Sequence, residues 1–219
     1  MNSILNNSKP NLSQKAYIDI KEKIINGELP QGVVISISAV AEALNISRTP
    51  VTNACQRLEF EKFLTIVPKQ GVIINTITID DAREIYELRA AIETYSAKRA
   101  FDYISSNDIE YLKKNLEKQK QYISLSDIHS FMVEDTIFHK TLLNKYKNSQ
   151  FFSVLDTLYD RAFLIGMRVN ENYNRLKESY EEHEKIVAAL ENKDKNAFIE
   201  AIERNIISGY ISLTGSYEY

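Results

Sequence analysis

The placement of the prolines is the feature that most restricts how this chain can fold. All four lie in the first third of the 219 residues: Pro10, Pro30, Pro50 and Pro68. From residue 72 onward there is no proline, and the only glycines are Gly166, Gly209 and Gly215. Because proline removes a helix hydrogen-bond donor and clashes with the preceding turn, a long stretch without it favours helices. We therefore predict a turn-containing N-terminal region followed by a long helical region.

Composition places the chain among ordinary globular proteins. Hydrophobic residues make up 44% of it and charged residues 26%, which argues against a wholly disordered chain. The longest apolar run, 162–167, is too short to span a membrane, and the polar start lacks the apolar segment of a secretory signal. The single cysteine, Cys55, excludes an internal disulfide and a thiolate zinc cluster. We therefore expect a cytoplasmic protein without a membrane contact.

Charge also divides the chain near residue 75. Residues 1–75 contain 8 Lys/Arg and 6 Asp/Glu, a net charge of about +2, whereas the remainder carries about −5. The first region is therefore the natural candidate for contact with a polyanion, although +2 is a weak signal.

The first region has the pattern of a winged helix-turn-helix. Apolar periodicity predicts helices near 13–26, 38–45 and 49–62, with Ser38 as the N-cap of the second and a tight connection at 45–47. Two β-prone runs, 63–67 and 72–75, are joined by the hairpin loop 68–71, which would form the wing. A small α/β module without a nucleic-acid role fits this pattern equally well.

A longer motif runs through the predicted turn and third helix: Ala41-x2-Leu44-Asn45-Ile46-Ser47-Arg48-Thr49-Pro50-Val51, then Leu58-Glu59 and Gly71-Val72. With these residues, positions 11–75 resemble the N-terminal domain of GntR-family bacterial transcription regulators. The resemblance implies that Ser47, Arg48 and Thr49 begin the recognition helix and that Lys69, Gln70 and Gly71 enter the minor groove.

The chemistry of these residues suits the implied roles. Arg48 can donate two parallel hydrogen bonds to O6 and N7 of guanine, although a plain surface charge is the alternative interpretation. The family often carries basic residues at the positions held here by Ser38 and Thr52, so we expect a shallow salt dependence and an altered operator. The residues expected to contact DNA are Ser38, Ser47, Arg48, Thr49, Thr52, Asn53, Lys69, Gln70 and Gly71.

The second region reads as an antiparallel helical bundle. Helices are predicted near 79–102, 106–123, 127–146, 149–170, 173–191 and 194–214. Their predicted N-caps are Thr78, Ser106, Ser126, Asn148, Asn172 and Asp194. Short connections imply antiparallel neighbours. The expected protein is mainly α: a flexible tail (1–10), a winged helix-turn-helix with a small β-wing (11–75), a linker (76–80) and an all-α bundle (81–215).

One group of residues in the bundle could bind a metal. Asp135 and His139 are four residues apart and share a helix face, and His183 lies beside an apolar stripe. A carboxylate with two imidazoles suits a metal of borderline softness such as zinc or nickel. Two buried, hydrogen-bonded histidines would explain the same pattern.

Three segments of the bundle carry a second motif: Glu87-Leu88-Arg89-x3-Glu93, Asp135-x2-Phe138-His139 and Glu182-His183-x2-Ile186. Across 79–214 they resemble the FCD ligand-binding domain of the FadR subfamily of these regulators. The resemblance implies metal ligation by Asp135, His139 and His183, with the fourth ligand position at Asn205, where the family usually has histidine. An amide oxygen is a poorer ligand for zinc or nickel than imidazole, so a metal-free pocket stays an alternative.

The same resemblance implies an effector: a small carboxylate or sugar acid, or acyl-CoA in a metal-free branch. Arg89 is the first candidate to pair with a carboxylate, and an ion pair with Glu93 is the alternative. Arg161 and Arg168 are further candidates. Three tyrosines could donate hydroxyls: Tyr159, Tyr173 and Tyr210.

Together these features predict a homodimeric regulator, not an enzyme, that binds a palindromic DNA operator with an affinity that a small anionic effector changes. Two alternatives remain at this point. One is a metal-dependent, hydrolase-like enzyme using Asp135, His139 and His183 with an open position for water. The other is a regulator whose helical domain only dimerises.

Overall fold

The computed structural model describes residues 11–29, 31–170 and 173–214. It divides into two compact units, Met1–Thr76 and Ile77–Tyr219. The predicted tail 1–10, the turn residue Pro30 and the predicted cap Asn172 lie outside the described residues, as does the side chain of Tyr173.

The first unit has the elements of a winged helix-turn-helix. Its helices are α1 (Leu12–Ile25), α2 (Ile37–Ala43) and α3 (Arg48–Phe60), and its strands are β1 (Val34–Ile35), β2 (Leu64–Val67) and β3 (Gly71–Ile74). The strands form an antiparallel sheet in the order β1-β3-β2. The predicted three helices and wing are therefore confirmed.

The turn between α2 and α3 depends on Asn45. This residue has a left-handed backbone with φ 51°, which asparagine tolerates better than most residues. The turn is closed by a hydrogen bond from Ile46 N to Ala41 O at 3.0 Å. Pro50 lies in the first turn of α3, where no intrahelical N–H is lost, and it is buried.

Packing of α1 against α3 forms the core of this unit. The buried apolar residues on the facing sides of the two helices are Ala16, Tyr17, Ile20, Ile24, Val51, Ala54, Cys55 and Leu58. Both helices show the three-and-four spacing of an amphipathic helix, so the exposed faces remain polar. Burial raises the pKa of the Cys55 thiol to about 11, as expected for a core cysteine.

The second unit is a bundle whose helices, within the described residues, are α4 (Ile79–Ala100), α5 (Ser106–Leu125), α6 (Ile128–Leu143), α7 (Ser149–Val169), α8 (Tyr173–Glu191) and α9 (Lys195–Thr214). Helices α4 and α6 end earlier than predicted, because the 3₁₀ turns Phe101–Tyr103 and Asn144–Tyr146 follow them. Helix α4 packs against α6, α7 and α9, and α5 packs against α6 and α8. In the described part of the chain no helix is both long and apolar enough to cross a membrane.

Three of the predicted N-caps are wrong by one or two residues. Ser36, not Ser38, caps α2 by accepting a hydrogen bond from Ala39 N at 3.0 Å. Ser105, not Ser106, caps α5 in a reciprocal pair with Asp108. Ser126 ends α5 in a left-handed conformation, and the next residue, Asp127, caps α6. Where two capping residues lie close together in sequence, only the backbone geometry selects one of them.

Candidate functional sites

The start of α3 presents polar side chains outward. Ser47 is its N-cap but makes no side-chain capping bond, and Arg48 and Thr49 follow it, all three exposed. The next two residues, Pro50 and Val51, are buried and anchor the helix in the core. Local packing therefore leaves the Ser47–Thr49 side chains available to an external partner.

Two other predicted contact residues are partly committed within the unit. Thr52 Oγ1 donates to Arg48 O at 3.0 Å, so its hydroxyl proton is used inside the helix. Asn53 Nδ2 donates to Ser13 Oγ on α1 at 3.4 Å. Ser38 lies exposed within α2.

The wing differs in one respect from its prediction. Lys69 and Gln70 are exposed at the loop tip, whereas Gly71 is buried at the start of β3. A Cβ on Gly71 would collide with the carbonyl oxygen of Ile35, and its φ of 142° disfavours any side chain. Glycine is therefore required here for the close approach of β1 and β3, a requirement within the protein.

In the second unit, the three predicted metal-binding residues come together. Asp135 and His139 lie one turn apart on α6, His183 lies on α8, and one ligand atom from each falls within 4.8 Å of the others. His183 Nε2 is 3.4 Å from Asp135 Oδ1. The two imidazole rings are 5.4 Å apart, and Phe138 stacks on His183 at 4.4 Å.

His139 is oriented by a carboxylate from α4. Its Nδ1–H donates to Glu93 Oε2 at 2.9 Å, and Arg89 Nε donates to Glu93 Oε1 at 2.7 Å. Burial alone would raise the pKa of Glu93, but Arg89 and His139 outweigh it and lower the pKa to about 2. Because an ionised carboxylate only accepts hydrogen bonds, Nδ1 carries the proton and Nε2 of His139 keeps its lone pair.

His183 is oriented by a chain of buried amides. Its Nδ1–H donates to Gln119 Oε1 at 2.8 Å, Gln119 Nε2 donates to Asn115 Oδ1 at 2.7 Å, and Asn115 Nδ2 donates to Glu134 Oε2 at 2.6 Å. Burial, followed by His139, Arg175 and Arg89, lowers the pKa of His183 well below its ordinary value. His183 is therefore neutral, and its buried Nε2 has no hydrogen-bond partner among the described residues.

The donor set fits a divalent cation of borderline softness. Two neutral imidazole nitrogens and one carboxylate oxygen are a common ligand combination for zinc and related metals. Burial raises the pKa of Asp135, with His139 and Arg89 acting in the opposite direction. A buried carboxylate next to two imidazoles that carry unpaired nitrogens is an arrangement that a bound cation would stabilise.

A cavity of about 40 Å³ lies next to this cluster. Its lining includes Asp135, His139 and Asn205. Asn205 Nδ2 donates to Glu182 Oε2 at 3.0 Å, so its oxygen is the atom left for a ligand. Other polar residues line the cavity: Arg89, Thr136, Tyr159, Asn170, Arg175 and Ser179.

The predicted effector residues divide into one that lines this cavity and two that do not. Arg89 lines it, while its Nε is engaged by Glu93, so the predicted ion pair is formed as well. Arg161 instead pairs with Asp81 at 3.0 Å, and Arg168 is exposed. Both lie on α7 outside the face that lines the cavity, which runs from Tyr159 to Asn170. Of the predicted tyrosines, Tyr159 lines the cavity and Tyr210 does not.

Sequence reasoning missed Arg175, Gln119 and Asn170. Arg175 lines the cavity and donates to both oxygens of Glu182, at 3.2 and 2.9 Å. Gln119 had a readable signal, because it continues the apolar stripe of α5 and is fully buried. A polar residue on a buried helix face indicates a hydrogen-bonding role.

Comparisons with known proteins agree with this arrangement. Residues 12–74 match the family model described as bacterial regulatory proteins, gntR family, and residues 84–207 match the model of the FCD domain. The FCD match alone spans more than half of the chain.

Similar proteins share most of their length with this one. The gluconate operon transcriptional repressor of Bacillus subtilis is 27% identical over 90% of this chain and 83% of its own. The HTH-type transcriptional repressor RspR of Escherichia coli is 24% identical over 92% and 88%. The solved structure of E. coli McbR/YncC has a TM-score of 0.81 at 22% identity, covering 96% of this chain and all of its own.

Proposed function

Because this chain belongs to the GntR family of bacterial regulatory proteins and carries an FCD domain, we propose that it is a homodimeric repressor or activator whose bundle binds a divalent metal and a small carboxylate. The effector would change operator affinity by favouring one arrangement of the DNA-binding units over another. The regulator class follows from the family, and the metal, effector and dimer are our proposals.

One observation carries the metal proposal. Each cluster histidine commits its Nδ1–H to a fixed acceptor, Glu93 or Gln119, which leaves both Nε2 atoms unprotonated beside Asp135. Metal-binding histidines typically have their second nitrogen held by a carboxylate or an amide in this manner. Histidines that served only to fill the core would have no need for two unpaired nitrogens near one carboxylate.

The cavity gives the metal a reason to bind an anion. Arg89 and Arg175 already pair with Glu93 and Glu182, so neither guanidinium supplies an uncompensated positive charge. A divalent cation would supply that charge and accept a carboxylate oxygen. The repressor of the gluconate operon, one of the similar proteins, is named for a sugar acid, which is consistent with a carboxylate effector.

Two exposed apolar side chains support the dimer. Leu88 (43% exposed) and Tyr95 (48%) lie two turns apart on one face of α4, and Val154 (44%) lies on α7, which packs against α4. A second copy of the chain would cover such a surface. Light scattering on the purified protein tests this, and a monomer at micromolar concentration would contradict it.

For DNA, we propose that α3 lies in the major groove with Arg48 reading guanine, and that Lys69 and Gln70 at the wing tip contact the minor groove. The exposure of these side chains supports both roles. The purified protein should prefer its own upstream sequence over scrambled competitor at moderate salt. Equal binding to both would contradict the proposal.

Elemental analysis tests the metal. The wild-type protein should retain about one divalent ion per chain after exhaustive dialysis, whereas His139→Ala and His183→Ala should lose it. The matched control is His129→Ala, because His129 is exposed on α6 outside the cluster. Absence of metal from the wild-type protein after incubation with zinc and nickel would refute the site. Turnover of an ester that disappears in His139→Ala would instead favour a metalloenzyme.

A further inference from the structure

Two buried polar atoms in the cavity wall have no hydrogen-bond partner among the described residues: Asn170 Oδ1 and the Tyr159 hydroxyl. Asn170 is 6% exposed and Tyr159 is 4% exposed. Buried polar groups in folded proteins are nearly always hydrogen-bonded, so an unpaired one next to a cavity indicates a missing partner such as a ligand.

The orientation of the Asn170 amide is fixed by a neighbour. Its Nδ2 donates to Met132 Sδ at 3.1 Å, and the opposite orientation would set the amide oxygen against the sulfur lone pairs. Met132 is itself held against Gly166, where a Cβ would collide with the methionine methyl group. Asn170 therefore offers its unpaired acceptor oxygen, and a ligand that uses it must donate a hydrogen bond.

The charges around the cavity favour a neutral donor. Asp135, Glu93 and Glu182 contribute three negative charges, and Arg89 and Arg175 contribute two positive ones. A divalent cation changes the resulting −1 to +1, and one carboxylate then neutralises the site. An ammonium donor would add an uncompensated buried charge, which is unfavourable, whereas a hydroxyl adds none.

The cavity is also small. Its volume of about 40 Å³ corresponds to roughly three ordered waters, so a ligand of a few heavy atoms fits with the least rearrangement.

We propose that the effector is a short hydroxycarboxylate, whose hydroxyl donates to Asn170 Oδ1 while its carboxylate faces the metal-binding cluster. Tyr159 provides a second polar contact to the same ligand. This inference rests on the proposed function, because the carboxylate needs the metal site.

Calorimetric titration of the zinc-loaded, full-length protein tests the inference with four probes: 2-hydroxypropionate, 3-hydroxypropionate, propionate and alanine. At least one hydroxy acid should bind about tenfold more tightly than propionate, the discrimination expected from one buried hydrogen bond. In Asn170→Leu this ratio should fall to about one, with little change in the affinity for propionate. The same substitution at an exposed position, Asn196→Leu, is the control and should keep the ratio.

Each other outcome has a definite meaning. Equal binding of propionate and both hydroxy acids to the wild type overturns this inference and leaves the proposed function intact. Tighter binding of alanine overturns the choice of a hydroxyl, and a ratio that survives in Asn170→Leu overturns the role of Asn170. If no carboxylate binds a protein with full metal content, the proposed effector fails and this inference fails with it.

A second variant protects the test against misfolding. Tyr159→Phe removes one oxygen and keeps the ring that packs in the core. It should lower the affinity for the hydroxy acid about two- to threefold more than the affinity for propionate. Equal losses for both ligands would remove Tyr159 from the proposal, and if Asn170→Leu does not fold, they overturn the inference.

Discussion

At the scale of single residues, the properties of the two cluster histidines are set by partners on other helices. Glu93 on α4 fixes the tautomer of His139, and Gln119 on α5 fixes that of His183. An imidazole can bind a metal only through an unprotonated nitrogen, so these partners decide whether the cluster binds at all.

Glu93→Gln tests this dependence. The variant keeps the size of the side chain but loses the charge that holds the His139 proton and Arg89, so zinc affinity should fall about 10- to 100-fold. Competition with a chromogenic chelator measures the change. Glu87→Gln, at an exposed position on α4, should have wild-type affinity, and an unchanged affinity in Glu93→Gln would show that the carboxylate does not tune the site.

Arg48→Ala tests base readout by the exposed start of α3. Loss of a bidentate contact to guanine should weaken operator binding about 10- to 100-fold, with a much smaller effect on random DNA. Fluorescence anisotropy with both duplexes measures the two affinities, and Lys98→Ala, exposed on α4, is the control. Equal losses on the two duplexes would mean that Arg48 contributes charge alone.

At the scale of elements, a buried polar group ties α1 to the end of α3. Tyr17 and Lys21 on α1 both donate to Glu61, at 2.7 and 2.9 Å, and Arg57 donates to it from within α3 at 3.1 Å. The contact fixes the angle at which α3 leaves the core, and thereby the position of its exposed N-terminal residues.

This group predicts an acid-sensitive first unit. Burial tends to raise the pKa of Glu61, but hydrogen bonds from Tyr17, Lys21 and Arg57 outweigh it and lower the pKa below its ordinary value. The stabilisation is therefore present above the unfolded-state pKa of about 4.3 and is lost as pH falls through the lower folded-state pKa.

Urea titrations followed by hydrogen exchange of α1 peptides, at about pH 6 and about pH 3.5, measure this effect. The wild-type midpoint should fall with acidification. Glu61→Gln should have a lower midpoint at pH 6 and a smaller fall, while Glu22→Gln, exposed on α1, should follow the wild type. Identical pH dependence in all three proteins would show that Glu61 contributes no net electrostatic stability.

At the scale of the whole molecule, regulation requires that the two sites share free energy. If a carboxylate changes operator affinity by a given factor, the operator must change carboxylate affinity by the same factor. We expect a coupling of about 5- to 150-fold in the metal-loaded dimer and none in His183→Ala. Measuring both affinities, each with and without the other ligand, checks the reciprocity, and metal-independent coupling would exclude the cluster as its origin.

Local sequence was sufficient for the elements and insufficient for the cavity. The helices, the wing and the shared face of Asp135 and His139 follow from proline placement and from spacings of a few residues. Arg161 was wrongly placed in the cavity, because its helix face is decided by packing against α4 and by the ion pair with Asp81. Arg175 was missed for the same reason, since its partner Glu182 and the surrounding cavity exist only in the folded bundle.

The amino-acid order by itself therefore determined the family, the secondary structure and the types of ligand atom that the bundle contains. Tertiary structure alone decided which nitrogen of each histidine is unprotonated and which arginine faces the cavity. The physical reason is distance along the chain: Glu93 and His139 are 46 residues apart, and Gln119 and His183 are 64 apart. Helical periodicity relates residues only three or four positions apart, so contacts of this length are fixed by how the helices pack.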